Sequence, residues 1–192
     1  MEKKLTASVA DIQAGHPHAK VEVWCQDEAR LGLFSVLRRV WAPRGKRPIA
    51  LVQPRRIWAY LSAFVHPVSG RTQLWLCPSV NIAMMTAMLA SFGEQAGVGP
   101  SKQIVLVLDQ AGWHKSAKLL VPEGVHLLYL PSHTPELQPA ERLWPYAREA
   151  LANDAPSNRA ELYQRLEHRC CWLADNPEVV HAATHFHWWP ER

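Results

Sequence analysis

Ile104 to Leu108 is an unbroken apolar run that stops abruptly at Asp109. A short apolar run bounded by polar residues reads as a strand buried on both faces, as inside a parallel sheet. A carboxylate at the C-terminal end of such a strand sits where open α/β sheets bind ligands. A basic segment, His114 to Leu120, follows and predicts a helix; a second apolar run, His126 to Leu130, completes a strand–helix–strand unit. One more strand of this type, Val21 to Cys25, also runs into an acid, Asp27. Beyond the second run, Pro131, Pro135 and Pro139 punctuate a turn. Pro139 suits the first position of a helix that holds Glu141 just inside its start. Pro145 then either kinks that helix or begins a new one, because an interior proline removes a hydrogen bond and clashes with the preceding turn.

Three carboxylates delivered by separate elements to one sheet edge make a site for divalent metal. Magnesium prefers oxygen ligands and is held by one or two carboxylates together with substrate phosphate. Two such ions about 3.5–4 Å apart stabilise the attacking and leaving oxygens of an in-line phosphoryl displacement. Taken singly, an acid at a strand end is ordinarily just solvated, and Glu141 in a first turn simply suits the helix dipole. The surrounding blocks decide between these readings. WCQDEARLGL, RRVWAPRGKRP, LVLDQAGWHKS and LPSHTPELQPAERLW, in this order over about residues 21 to 150, resemble the catalytic domain of the mariner-like insertion-sequence transposases. These are DDE recombinases with an RNase H-like fold.

The resemblance implies that Asp27, Asp109 and Glu141 are the three catalytic, metal-holding acids. It also implies two Mg²⁺ ions, with Mn²⁺ able to substitute, and Glu28 becomes a flanking acid on the other face of its strand. The chain departs from the family pattern at Gln110 and Gln138, where asparagine is usual, and both positions keep an amide. His114, five residues after Asp109, matches a histidine of the second block, and is expected beside the metal contacting phosphate or orienting an acid.

Leu33 to Ala42 reads as a further strand, and Ile57 to His66 as another, joined through Pro67–Val68–Ser69–Gly70 to a hairpin partner, Thr72 to Cys77. Asn81 caps a predicted helix whose Met85, Met88, Leu89 and Phe92 share one face, with Gly97 at its end. Asn158 with Glu161 forms a capping box for a late helix carrying Leu162, Leu166, Cys170 and Leu173. The expected architecture is α/β and RNase H-like, a five-stranded mixed sheet with helices on both faces. The expected organisation is a lead-in or linker remnant over 1–20 and a single RNase H-like DDE catalytic domain over 21–192.

Arg30 to Arg56 contains no acid. It holds Arg38, Arg39, Arg44, Lys46, Arg47, Arg55 and Arg56, interleaved with Trp41. Arginine binds phosphate bidentately and stacks on bases, so this run reads as a DNA backbone track, and the net charge of +4 agrees. No apolar run reaches membrane-spanning length, no signal-peptide core is visible, and the four cysteines form no C-x-x-C pair. A reducing, cytoplasmic, nucleoid-associated setting is therefore expected. His181, His185 and His187 cluster near the end without a carboxylate or thiolate at convincing zinc spacing.

The implied function is Mg²⁺-dependent cleavage at transposon ends followed by strand transfer into target DNA. An RNase H-like endonuclease without strand transfer, or a catalytically dead DNA-binding remnant, are the alternatives. Family members carry helix-turn-helix domains ahead of this one, and no room for them exists before Val21. A separate helix-turn-helix portion or a homodimer partner is accordingly expected.

Overall fold

Val21, Val23 and Cys25 alternate with Glu22, Trp24 and Gln26, so successive side chains of the first strand enter opposite sides of a sheet. The computed structural model, which describes residues 1–34, 36–50, 52 and 55–191, shows both sides buried. The strands are β1 (Lys20–Gly32), β2 (Trp58–His66), β3 (Arg71–Cys77), β4 (Lys102–Leu108) and β5 (Val125–Tyr129). They form one sheet in the order β3-β2-β1-β4-β5. β1 pairs antiparallel with β2 and parallel with β4, β2 pairs antiparallel with β3, and β4 pairs parallel with β5.

Helices cover both faces. α2 (Ile82–Ala96) packs Met85, Met88, Leu89 and Phe92 against Trp24, Phe64, Ile104 and Leu106. The Asn81 side chain accepts from the Met84 amide at 2.9 Å, and Gly97 ends the helix at φ +70°, the left-handed conformation open to glycine. On the opposite face lie α1 (Glu2–Gly15), α4 (Arg159–Asp175) and α5 (Pro177–Thr184). Leu5, Val9, Leu162, Leu166, Leu173 and Val180 bury there with Val23, Cys25, Val105 and Val107. Residues 2–15 are thus a helix built into this core, with Leu5 fully buried. No helix among the described residues is long and apolar enough to cross a membrane, and all four cysteines are free thiols.

Two local expectations differ from the structure, and one left open is decided by it. The described residues of Leu33 to Ala42 form no strand. β1 itself continues to Gly32 and takes β2 directly, Gly32 opposite Trp58, so β2, with β3 on its other side, has no edge open to a further strand. Past Gly32 the chain makes only an isolated bridge, Val36 with Ala152, and then leaves as an arm with Leu37, Val40, Trp41 and Ile49 exposed. His114 to Leu120 is a series of turns, not a helix. The Ser116 hydroxyl accepts from the Lys118 amide at 3.2 Å, the local competition that draws serine out of helices. Of the two places open to Pro145, the structure takes the second, the start of a new helix rather than the interior of the one that carries Glu141. A 3-10 turn, Pro139–Leu143, ends before it, and α3 (Trp144–Arg148) begins with Pro145 in its first turn.

Candidate active site

Parallel pairing sets Cys25 opposite Val107. Two residues further along each chain, Asp27 and Asp109 therefore come level with one another. Asp27 lies within β1, paired with Ala63 of β2, and not at a strand end; Asp109 stands just past the last residue of β4. Glu141 arrives from the 3-10 turn Pro139–Leu143. A buried hydrogen bond from Gln138 Nε2 to the Gln26 carbonyl, 2.8 Å, ties that turn to β1. Gln110 Nε2 likewise donates to the Leu130 carbonyl at 2.8 Å, holding the Asp109 loop to the end of β5. The two glutamines that depart from the family pattern are thus the fastenings of both loops. Asp27, Asp109 and Glu141 line one cleft of about 360 Å³ together with Gln110, Gln138 and His133.

Two of the acids are oriented by neighbours. Trp144 Nε1 donates to Asp27 Oδ2 at 2.9 Å inside the core. Burial pushes the Asp27 carboxyl up to about 7; the Trp144 hydrogen bond opposes this, and the charges of Glu141 and Glu28 add to it. Asp109 Oδ1 lies 2.7 Å from His114 Nδ1 and accepts from the Ala111 amide at 3.0 Å. The His114 bond holds Asp109 below the ordinary carboxylate range. Burial pulls the His114 imidazole down, but its bonds to Asp109 and Glu28 outweigh that and hold it up at about 9. His114 is 1% exposed. A side chain so enclosed cannot contact a DNA phosphate, and it takes the acid-orienting place instead.

The donor set is all oxygen, which suits a hard divalent cation such as Mg²⁺. Burial is the main reason that Asp27 is raised, and the charges of Glu141 and Glu28 add to it; a cation would relieve both. As the side chains stand, no three His, Cys, Asp or Glu among the described residues converge closely enough to hold an ion. Asp109 and Glu141 are exposed, on a loop and a turn, whereas Asp27 is buried in a strand. His181 of α5 and His185 just past it stack with ring centroids 4.7 Å apart, and they too lack a third ligand among the described residues.

The basic residues all lie outside the core. Arg38, Arg39, Arg44, Lys46, Arg47, Arg55 and Arg56 are exposed on the arm between β1 and β2. Arg38 is tied down, its amide to Asn153 Oδ1 at 2.8 Å and its Nε to Glu149 Oε1 at 3.1 Å. Arg30 sits over the Trp58 ring, 4.7 Å from its centroid.

The model of the DDE superfamily endonucleases matches residues 22–163, most of the chain. The chain belongs to this family. An uncharacterized protein, y4pE/y4sA of Sinorhizobium fredii (strain NBRC 101917 / NGR234), is 36% identical over 126 residues, 63% of this chain and 89% of that protein. Among solved structures, the Mos1 mariner paired end complex with Mn is similar at a TM-score of 0.64 and 16% identity, over 96% of this chain and 57% of that one. The Mos1 strand transfer complex is similar at 0.59 and 14%, over 97% and 61%. The RNase H-like fold is shared with these structures, and the chain spans about three fifths of their length.

Two neighbours of the site carry no mark of their role in the sequence of this family member. Trp144 was visible as the last residue of the ERLW block, but nothing there marks its indole as a partner of Asp27. Glu28 read as a flanking acid, and strand alternation alone does not reveal that its side chain is buried against His114.

Proposed function

We propose that this chain is the catalytic domain of a transposase, cleaving DNA phosphodiesters at transposon ends and joining the freed 3′-hydroxyl to target DNA. The observation that supports it most is the β1–β4 register, which sets Asp27 beside Asp109 in a cleft that Glu141 also lines. Asp27, Asp109 and Glu141 would hold two Mg²⁺ ions, or Mn²⁺ in their place. When bound, such ions activate water and stabilise the attacking and leaving oxygens of an in-line displacement. Trp144 fixes one oxygen of Asp27, so the other is left for the cleft, and His114 does the same for Asp109. Glu141, on an exposed turn, is free to adjust. The arm carrying Arg38, Arg39, Arg44, Lys46, Arg47, Arg55 and Arg56 would track the phosphate backbone. Reading of the transposon ends would fall to a helix-turn-helix portion or to a second copy of the chain, in the cytoplasm at the nucleoid.

The experiment is nicking of supercoiled plasmid with and without Mg²⁺. Asp27→Asn, Asp109→Asn and Glu141→Gln should each cut the rate by more than the roughly 100-fold that loss of an outer partner of a metal ligand costs. DNA binding should persist in all three. Nicking that survives these substitutions would remove the assignment. Joining of a 3′-hydroxyl oligonucleotide to plasmid separates a transposase from a plain endonuclease.

A further inference from the structure

Glu28 takes no part in the cleft, yet its side chain is only 8% exposed. A buried carboxylate needs a partner, because losing water costs far more than burial of carbon returns. Strand alternation turns Glu28 toward the α2 face while Asp27 turns to the other. On that face Glu28 Oε1 lies 3.3 Å from His114 Nε2, and His114 Nδ1 lies 2.7 Å from Asp109 Oδ1. The imidazole thus spans from an acid beneath the sheet edge to an acid on the cleft rim. The Tyr129 hydroxyl donates to the His114 carbonyl at 2.7 Å and fixes the backbone below the ring. Trp113 Nε1 also approaches His114 Nε2, at 3.1 Å. An indole N–H can only donate, so Trp113 suits a bare Nε2 and Glu28 a protonated one. Glu28 and Trp113 therefore compete for one ring nitrogen.

We propose that Glu28 is a positioning residue: through His114 it fixes the direction of the Asp109 carboxylate, so that Oδ2 faces the cleft. This rests on the reading of Asp109 as a metal-holding acid. His114 and the Ala111 amide occupy Oδ1, and an imidazole held at both nitrogens cannot turn without releasing Asp109. Outer partners of metal ligands act this way, setting ligand direction without touching the reacting atoms.

The test uses the full chain and Mn²⁺ as the probe, titrated by calorimetry without DNA. Glu28→Met keeps the bulk and removes the acceptor. It should weaken Mn²⁺ binding about tenfold, and Glu28→Gln, which restores an oxygen at the same reach, should recover most of that loss. In a His114→Ala background Glu28→Met should add nothing, because its effect runs through the ring. Without metal, the His114 ring resonances should be sharp in the wild type and in Glu28→Gln, and broadened or split in Glu28→Met. Glu28→Ala makes the same comparison should the longer side chain prevent folding. The proposal is overturned if Glu28→Met weakens Mn²⁺ binding equally with and without His114, or leaves both affinity and ring resonances unchanged. If the wild type binds no Mn²⁺, the metal reading of the site fails, and the ring resonances still report whether Glu28 holds His114.

Discussion

Glu22 is a heavily partnered carboxylate, and it lies away from the cleft, near the start of β1. Lys20 and Lys102 approach it at 2.9 and 3.0 Å, Arg71 at 2.9 Å, and the Trp24 indole donates at 3.0 Å. Burial raises its carboxyl, but these partners prevail and hold it down at about 2. Because the folded value lies below that of the unfolded chain, Glu22 contributes stability fully above about pH 4.5, and the contribution drains away as pH falls toward 2. The shift corresponds to about 3 kcal/mol. Urea unfolding from pH 7 to 2 should show Glu22→Gln less stable at pH 7 by about that much, with the two curves converging near pH 2. Parallel curves would place the stabilisation elsewhere. At this scale the three cleft acids were legible in sequence, since each lies within a recognisable block. Their holders were not: Trp144, Glu28 and the inward-facing His114 owe their places to pairings between strands and loops far apart in the chain.

Elements were legible where hydrophobic pattern and burial coincide. The continuous runs of β4 and β5, the hairpin of β2 and β3 and the capped helices α2 and α4 all stand close to their expected bounds. Leu33 to Ala42 misled because an apolar stretch signals a strand only if an edge is open to receive it. The second half of β1 had already taken that edge, and the alternation of buried Ala29 and Leu31 with exposed Arg30 was its signal. Pro145 illustrates the same dependence on context. In the first turn of α3 its missing N–H leaves no acceptor unserved. Pro145→Ala therefore relieves no strain and only loosens the unfolded chain. It should cost about 0.4–1 kcal/mol and lower the melting temperature by a few degrees at most, with nicking unchanged. A more stable Pro145→Ala protein would show that the proline strains the native turn.

As a whole, the molecule divides into a core on both faces of the sheet and an arm that touches it mainly at its two ends, through Leu33, Val36 and Ile57, with Leu37, Val40, Trp41 and Ile49 left exposed. The arm leaves β1 at Gly32, about 16 Å past Asp27 at the usual rise of a strand, and returns at Trp58 directly opposite. It joins the sheet at the end where the acids lie, so DNA laid along it would approach the cleft. Replacing Arg44, Lys46 and Arg47 together by glutamine should weaken binding to all duplex sequences alike. The slope of log affinity against log salt should fall by about 0.9 for each phosphate no longer neutralised. An unchanged slope would return these residues to plain solvated surface. The mounting of the acids has another consequence. Asp27 sits inside a long central strand, so its backbone opens only when the sheet opens, at the full free energy of unfolding. Glu141 sits on a short 3-10 turn fastened to β1 by the Gln138 side chain, and a turn of that kind opens locally at far smaller cost. The cleft therefore has one jaw as durable as the protein and one that lets go early, so under mild denaturant its chemistry would be lost from the turn inward, well before the fold itself.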